Sequence, residues 1–272
     1  MNLSELVSLA FEEDLGPGDL TTDSCVDPST QGTARIYAKQ DLVVSGLAPA
    51  REAFAQQGVV FTALVEDGAG VGQGTDIVRL SGPLAGILRA ERLALNFLMR
   101  LCGVATHTAS VVGAAQGKLR VVCTRKTTPL HRSLEKAAVR HGGGHNHRHG
   151  LFDGVMIKDN HIVAAGGITQ AVRKARANIH HLVKIEVEVE DLGELEQALA
   201  AGADVVLLDN MDDATLAKAV EINAGRALLE ASGNMNAARI EAIRDLGLDV
   251  VSVGGLIHQA VWADLSLRID AL

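Results

Sequence analysis

Aromatic residues are nearly missing from this chain: one Trp, one Tyr and five Phe in 272 residues. Any core must therefore be aliphatic, and an apolar content of 47% is enough for a sizeable one. Cysteine is scarce, and Cys25, Cys102 and Cys123 show no paired spacing. That argues against a disulfide framework and fits a reducing, cytoplasmic setting. No uninterrupted apolar run reaches the roughly 18 residues that a membrane crossing needs. The opening MNLSELVSLAFEEDLG lacks the basic flank and apolar stretch of a signal peptide. Positive charge is also in deficit, with 25 Lys and Arg against 33 Asp and Glu and a net charge of −8. General nucleic-acid binding is disfavoured by that balance, and no membrane partner is expected.

Against this deficit one segment stands out. From Thr124 to His161, seven Lys or Arg face three acids, and six of the ten His lie in the same stretch. A local basic cluster in an acidic protein suits a pocket for small anions.

The chain changes rhythm near residue 115. Before it, TARIYAKQDLVVSG, VVFTALVED and GTDIVRLSG carry the β-branched pattern of strands. LAGILRAERLALNFLMRLCGVATHTASVVGAA then places apolar residues at helical spacing, with Gly103 marking a break between two helices. After it, short apolar runs recur: LRVVC, GVMI, LVKIEVEV, DVVLL, RALLEA and DVVSV. Helix-compatible stretches such as GITQAVRKARANI and LGELEQALAAG separate most of them. Alternation of strand and helix predicts parallel β/α units. The expected fold is α/β: a first domain over residues 1–115, then an incomplete barrel of about six parallel strands over 116–272.

Each run stops at polar or glycine residues, and in β/α barrels such strand ends line the site. Thr124, Arg125 and Lys126 follow the first run, and Lys158 follows the second. With His147 and Arg148 they could bind carboxylates or phosphates, Arg by planar bidentate contacts. Lys136 and Arg140, on a helical stretch, read as solvated charges or as secondary to the site. In HGGGHNHRHG, a metal site of His141, His145, His147 and His149 is opposed by the flanking cations. Its glycines more readily let backbone N–H groups approach an anion. Period two puts Lys184, Glu186 and Glu188 on one face, with Lys184 the simplest partner for Glu186. Glu188 and Asp209 could hold Mg²⁺ or a sugar's hydroxyls. EASGN (Ser232, Gly233, Asn234) and VGGL (Gly254, Gly255, Leu256) have the small residues of paired phosphate loops.

Together these motifs resemble the quinolinate phosphoribosyltransferase family over nearly the whole chain. The likeness begins at EDLGPGDLTT and runs through ERLALNFLMRLCGVATHT. It is densest in TRKTTPLHRSLEKAAVRHGGGHNHR and IKDNHI, and closes with EVEVE, LLDNM, EASGN and SVGGLIH. The resemblance implies an N-terminal α/β sandwich domain and an incomplete α/β barrel, with the last residues packing back on the first domain. It implies transfer of a phosphoribosyl group from phosphoribosyl pyrophosphate to quinolinate, with loss of CO₂, to give nicotinate mononucleotide in NAD biosynthesis. It also implies Mg²⁺ at Glu188 and Asp209, and a homodimer or larger assembly in which Arg92 reaches the neighbouring site. By resemblance Arg92, Arg125, His147, Arg148 and Lys158 hold the quinolinate carboxylates. Lys126 lies between substrate and pyrophosphate, and Ser232, Gly233, Asn234, Gly254, Gly255 and Leu256 form the 5′-phosphate cradle with Thr124 nearby. Catalytic roles fall to Lys126, Lys158, Glu188 and Asp209. Three departures stand out: Leu130-His131 where Gly and an apolar residue are usual, Cys102 for Ser, and Gly255 for Ala.

A Schiff-base aldolase using Lys158 or Lys126 is the rival enzyme class, but it leaves the paired glycine loops without a task. The nearest rival is a paralogue of the same fold associated with molybdenum transport, and a third is a non-catalytic anion-binding protein.

Overall fold

The computed structural model describes residues 2–270. Its chain divides into two units. Residues up to His107, Arg140–Gly143 and the segment from Ala260 form the first; Thr108–Val139 and Gly144–Gln259 form the second.

The first unit begins at a capping box. Asn2 accepts from the Glu5 N–H at 2.9 Å, and Glu5 accepts in return from the Asn2 N–H, starting α1 (Leu3–Leu15). Helices α2 (Leu20–Cys25) and α3 (Leu47–Gln56) follow among strands β1 (Gln31–Ala38), β2 (Leu42–Val43), β3 (Val60–Ala63), β4 (Gly70–Val71) and β5 (Asp76–Pro83). Alternation along β1 sends Ala34, Ile36 and Ala38 inward, each almost wholly buried. The last strand of the chain, β12 (Leu265–Ile269), adds to β1, completing an antiparallel sheet in the order β12-β1-β5-β3.

Helix α4 (Leu84–Ala115) runs unbroken for 32 residues. The expected break at Gly103 is not there. Glycine is required for another reason: a Cβ at this position would collide with the Val261 carbonyl oxygen. By length and composition α4 could cross a membrane, but half of its most apolar window is buried in the fold. Ile87, Ala90, Ala94 and Leu98 make that face, at three- and four-residue spacing, and all are inaccessible to solvent.

In the second unit the six expected runs are all strands. They are β6 (Arg120–Val122), β7 (Val155–Ile157), β8 (Ile185–Val189), β9 (Val205–Asp209), β10 (Leu228–Ser232) and β11 (Val250–Ser252). They pair in parallel in the order β6-β11-β10-β9-β8-β7, a six-stranded sheet that does not close into a barrel. Beyond β6 a single parallel bridge joins Val122 to His145. Helices α5 (Arg132–His141), α6 (Asp159–Ala165), α7 (Ile168–Asn178), α8 (Leu192–Ala201), α9 (Asp213–Asn223), α10 (Ala237–Ile243) and α11 (Gly255–His258) occupy the connections. Asp191, Asp212 and Asn236 cap α8, α9 and α10 through the N–H groups of Glu194, Thr215 and Arg239. Since the strands are parallel, their C-terminal ends open on one side of the sheet.

Candidate active site

Those strand ends surround a cavity of about 460 Å³. The turn after β6 supplies Thr124, Arg125 and Lys126; the first residue past β7 is Lys158; β8 gives Glu188 and β9 gives Asp209. His147 and Arg148 come from the segment whose His145 is bridged to β6. Its N–H donates to the Val121 carbonyl at 2.8 Å and its carbonyl accepts from the Cys123 N–H at 3.0 Å.

The cavity wall crowds cations together. Burial, and then the Arg125 charge alongside, lower the Arg148 pKa. The Arg148 guanidinium donates to the Gly154 carbonyl at 3.0 Å, whereas the buried Arg125 Nε has no partner among the described residues. Two guanidinium groups this close favour an anion between them. Lys158 is ion-paired with Glu188, and Asp209 accepts from the Asn210 side chain at 2.7 Å. The two carboxylates stand on adjacent strands and line the same cavity, so hard oxygen donors for a divalent cation are at hand.

A second depression of about 590 Å³ adjoins the first and shares Thr124, Lys126, Asp209, Ser232 and Ser252 with it. Its floor is the two glycine-rich turns, with Gly233, Asn234, Gly254 and Gly255. Gly233 has φ +97°, and a Cβ there would meet Asn210 side-chain and backbone atoms. A Cβ on Gly254 would come 3.2 Å from Lys126 Nζ. Glycine therefore lets backbone and ammonium converge here, as an oxyanion cradle needs.

Several expectations are corrected. Glu186 is not paired with Lys184: its Oε2 lies 3.0 Å from His147 Nε2, beneath the cavity. Strand alternation correctly put it inward but could not say which segment would cross it. Lys136 is not solvated. It is 2% exposed, and its ammonium donates to the His147 carbonyl at 2.9 Å and lies 3.1 Å from Cys123 Sγ. Two of the three glycines after α5, Gly143 and Gly144, do not offer free N–H groups. Gly143 donates to Arg140 and Gly144 to Val139, both at 2.9 Å, ending the helix. The histidines of this stretch do not gather: His141 meets Ser45 Oγ at 2.9 Å, His145 and His149 are exposed, and only His147 lines the cavity. Leu256 is wholly buried and outside the lining; Arg92, expected to serve a neighbouring copy's site, is exposed on α4 and outside its own chain's lining, which leaves that expectation standing.

Sequence reasoning passed over Glu230 of β10 and Ser252 of β11, both in the lining and both buried. Glu230 stands two residues before Ser232, on the same face of its strand by period two, and that signal was available. Burial, and next the Glu186 charge, push the Glu230 pKa up to about 7.

Comparison with known proteins gives this arrangement its place. The family model for the quinolinate phosphoribosyl transferase N-terminal domain matches residues 19–102, and that for the C-terminal domain matches 104–268. The chain belongs to the quinolinate phosphoribosyltransferase family. A Bacillus subtilis relative, described as a probable nicotinate-nucleotide pyrophosphorylase (carboxylating), is 40% identical over 99% of this chain and 94% of its own. A Nicotiana glauca relative, quinolinate phosphoribosyltransferase (decarboxylating) 2, mitochondrial, is 36% identical over 99% of this chain and 82% of its own. Among solved structures, NadC from Streptococcus pyogenes superposes with a TM-score of 0.95 at 38% identity, covering 99% of this chain and 97% of that one. Family membership supports the expected fold: an N-terminal unit with an antiparallel sheet followed by six parallel strands.

Proposed function

We propose that this chain is a pentosyltransferase that joins quinolinate to phosphoribosyl pyrophosphate and releases pyrophosphate and CO₂, giving nicotinate mononucleotide for NAD biosynthesis. The observation that carries this reading is the crowding of Arg125 and Arg148 in a cavity that also holds Lys126 and Lys158, beside a glycine-lined cradle. Quinolinate brings two carboxylates; its co-substrate brings a 5′-phosphate and a pyrophosphate.

Arg125, Arg148 and Lys158 would hold the carboxylates, the Arg pair by bidentate contacts. Lys126, shared by both depressions, would sit between the substrates, and the 232–234 and 254–255 turns with Thr124 would bind the phosphate. The ring nitrogen attacks C1 of the ribose as pyrophosphate leaves, through an oxocarbenium-like transition state that the surrounding charges stabilise. The ribosylated nitrogen is positive, so the C2 electron pair left when CO₂ departs is stabilised and then takes a proton. No enzyme nucleophile is required. Glu188 and Asp209 are the residues that would hold Mg²⁺, which supplies charge neutralisation at the leaving pyrophosphate. The ion pair of Lys158 with Glu188 fits a side chain that meets carboxylates better than one that forms a Schiff base.

We also propose a homodimer or larger assembly in the cytoplasm in which the exposed Arg92 serves a second copy's site. Substrate discrimination tests the central reading. With phosphoribosyl pyrophosphate and Mg²⁺, quinolinate should yield nicotinate mononucleotide while nicotinate, lacking the second carboxylate, should not. Equal turnover of both acids would overturn it.

A further inference from the structure

Beneath the cavity lies a buried cluster with an incomplete hydrogen-bond account. Glu186 and Glu230 are 6% and 4% exposed. Glu186 Oε2 accepts from His147 Nε2, but Glu186 Oε1 and Glu230 Oε1 have no partner among the described residues. Glu230 Oε1 is 3.9 Å from the same His147 nitrogen, and one ligand-type atom from each of the three residues lies within 4.8 Å of the others. Two buried carboxylates at this separation repel, and one oxygen of each is left without a donor among the described residues. One added proton cures both faults at once.

We propose that Glu230 is a neutral carboxylic acid whose hydroxyl donates to Glu186, and that this pair is the positioning unit that holds His147 and, through it, Arg148. The inference rests on reading the cavity as the quinolinate site. Glu186 already accepts from His147, so it stays the carboxylate and Glu230 takes the proton. The raised pKa of Glu230 agrees, set by burial and by Glu186, with His147 and Ser252 acting against it.

His147 fixes the rest of the chain of contacts. Its Nδ1 accepts the Arg148 N–H at 2.8 Å, so that nitrogen carries a lone pair. Burial lowers the His147 pKa, and the hydrogen bond and charge of Glu186 with the charge of Glu230 raise it further than burial lowers it. Imidazolium would nevertheless turn an N–H against the Arg148 N–H, so the resting ring is the neutral Nε2–H tautomer. With Glu230 neutral, one of the two charges favouring imidazolium is gone. A metal ion among the same three residues meets the same obstacle, because ligation by Nε2 would move the proton to Nδ1. The groups facing Glu230 are Glu186 on β8, Ser252 on β11 and His147 from the His145 segment. Arg148 and Arg125 lie beside that cluster, and Lys126, Lys158, Glu188 and Asp209 share the cavity. Lys136 holds the His147 carbonyl from the other side. Arg148 is thus placed by a line of contacts that ends at the Glu230 hydroxyl.

The test uses the whole protein. Nitrogen-15 histidine NMR should show His147 as the neutral Nε2–H tautomer at neutral pH. Infrared difference spectra should show a protonated carboxyl that titrates at about 7 and vanishes in Glu230→Gln. The amide of Glu230→Gln still donates to Glu186, so this variant should keep the tautomer while the quinolinate KM loses its dependence on pH across that range. Glu230→Leu removes the donor; its quinolinate KM should rise about tenfold or more, the size of a lost buried bond to a charged group, with the phosphoribosyl pyrophosphate KM little moved. Absence of the protonated-carboxyl band in wild type, its survival in Glu230→Gln, a quinolinate KM unaltered in folded Glu230→Leu, or a bound metal whose removal by chelation shifts the His147 nitrogen signals would each overturn the proposal. The two spectroscopic readings need no turnover. A wild type inert toward quinolinate would therefore overturn the functional reading and leave the proton on Glu230 separately decided.

Discussion

The buried ammonium of Lys136 donates to the carbonyl of His147 at 2.9 Å, tying α5 to the segment that delivers a cavity residue. Its other partner among the described residues is Cys123 Sγ, so no carboxylate offsets the charge by a direct bond. Replacing it with Met keeps most of the volume but leaves the carbonyl without this donor. Lys136→Met should lower stability by about 1–3 kcal/mol. It should raise the quinolinate KM by more than that of phosphoribosyl pyrophosphate. Thermal melting and separate KM measurements check both parts; equal effects on the two substrates would contradict the assignment of His147 and Arg148 to the quinolinate side.

The glycine cradle makes the opposite demand. Gly233 is held at φ +97° against Asn210, where a methyl group would force the turn apart. Gly233→Ala should raise the KM for phosphoribosyl pyrophosphate about tenfold or more while moving the quinolinate KM far less.

Stability should fall as the solution turns alkaline. Glu230 has an ordinary value of 4.5 and a folded value of about 7. Between these the folded protein holds a proton that the unfolded chain has released, so stability is fully present below the lower value and lost toward the upper one. The loss is of the order of 3 kcal/mol for this one group. The wild type should melt higher at about pH 5.5 than at about pH 8, and Glu230→Gln should flatten that slope. An unchanged slope in the variant would contradict it.

Leu130 stands at φ +66°, exposed on the turn after Pro129. The family resemblance places Gly there. A non-glycine residue in this region costs roughly 1–2 kcal/mol, partly offset by the greater freedom glycine has when unfolded. Leu130→Gly should therefore stabilise the protein by up to about 1 kcal/mol in a denaturant titration.

The parallel sheet was legible because each strand is a short apolar run ended by a turn signal, and that signal is local. The cation and phosphate groups were legible for the same reason, since Arg125, Lys158 and Ser232 sit where their strands stop. What stayed hidden depends on packing across the chain. Gly103 read as a helix break because the sequence does not show the Val261 carbonyl against it. Lys136 read as solvated because a helical charge gives no local sign of being covered. Glu135, Lys136 and Val139 do share one helical face, and all three are buried, so the periodicity carried the hint. Glu186 could be assigned a face but not a partner, since His147 reaches it from 39 positions earlier in the chain.

The most direct test of the account follows one carbon atom. Quinolinate labelled in its 2-carboxylate, with phosphoribosyl pyrophosphate and Mg²⁺, should release labelled CO₂, pyrophosphate and nicotinate mononucleotide in equal amounts, and only when both substrates are present. Folded protein that binds quinolinate yet releases neither CO₂ nor pyrophosphate would make the cavity an anion-binding site and contradict the proposed reaction.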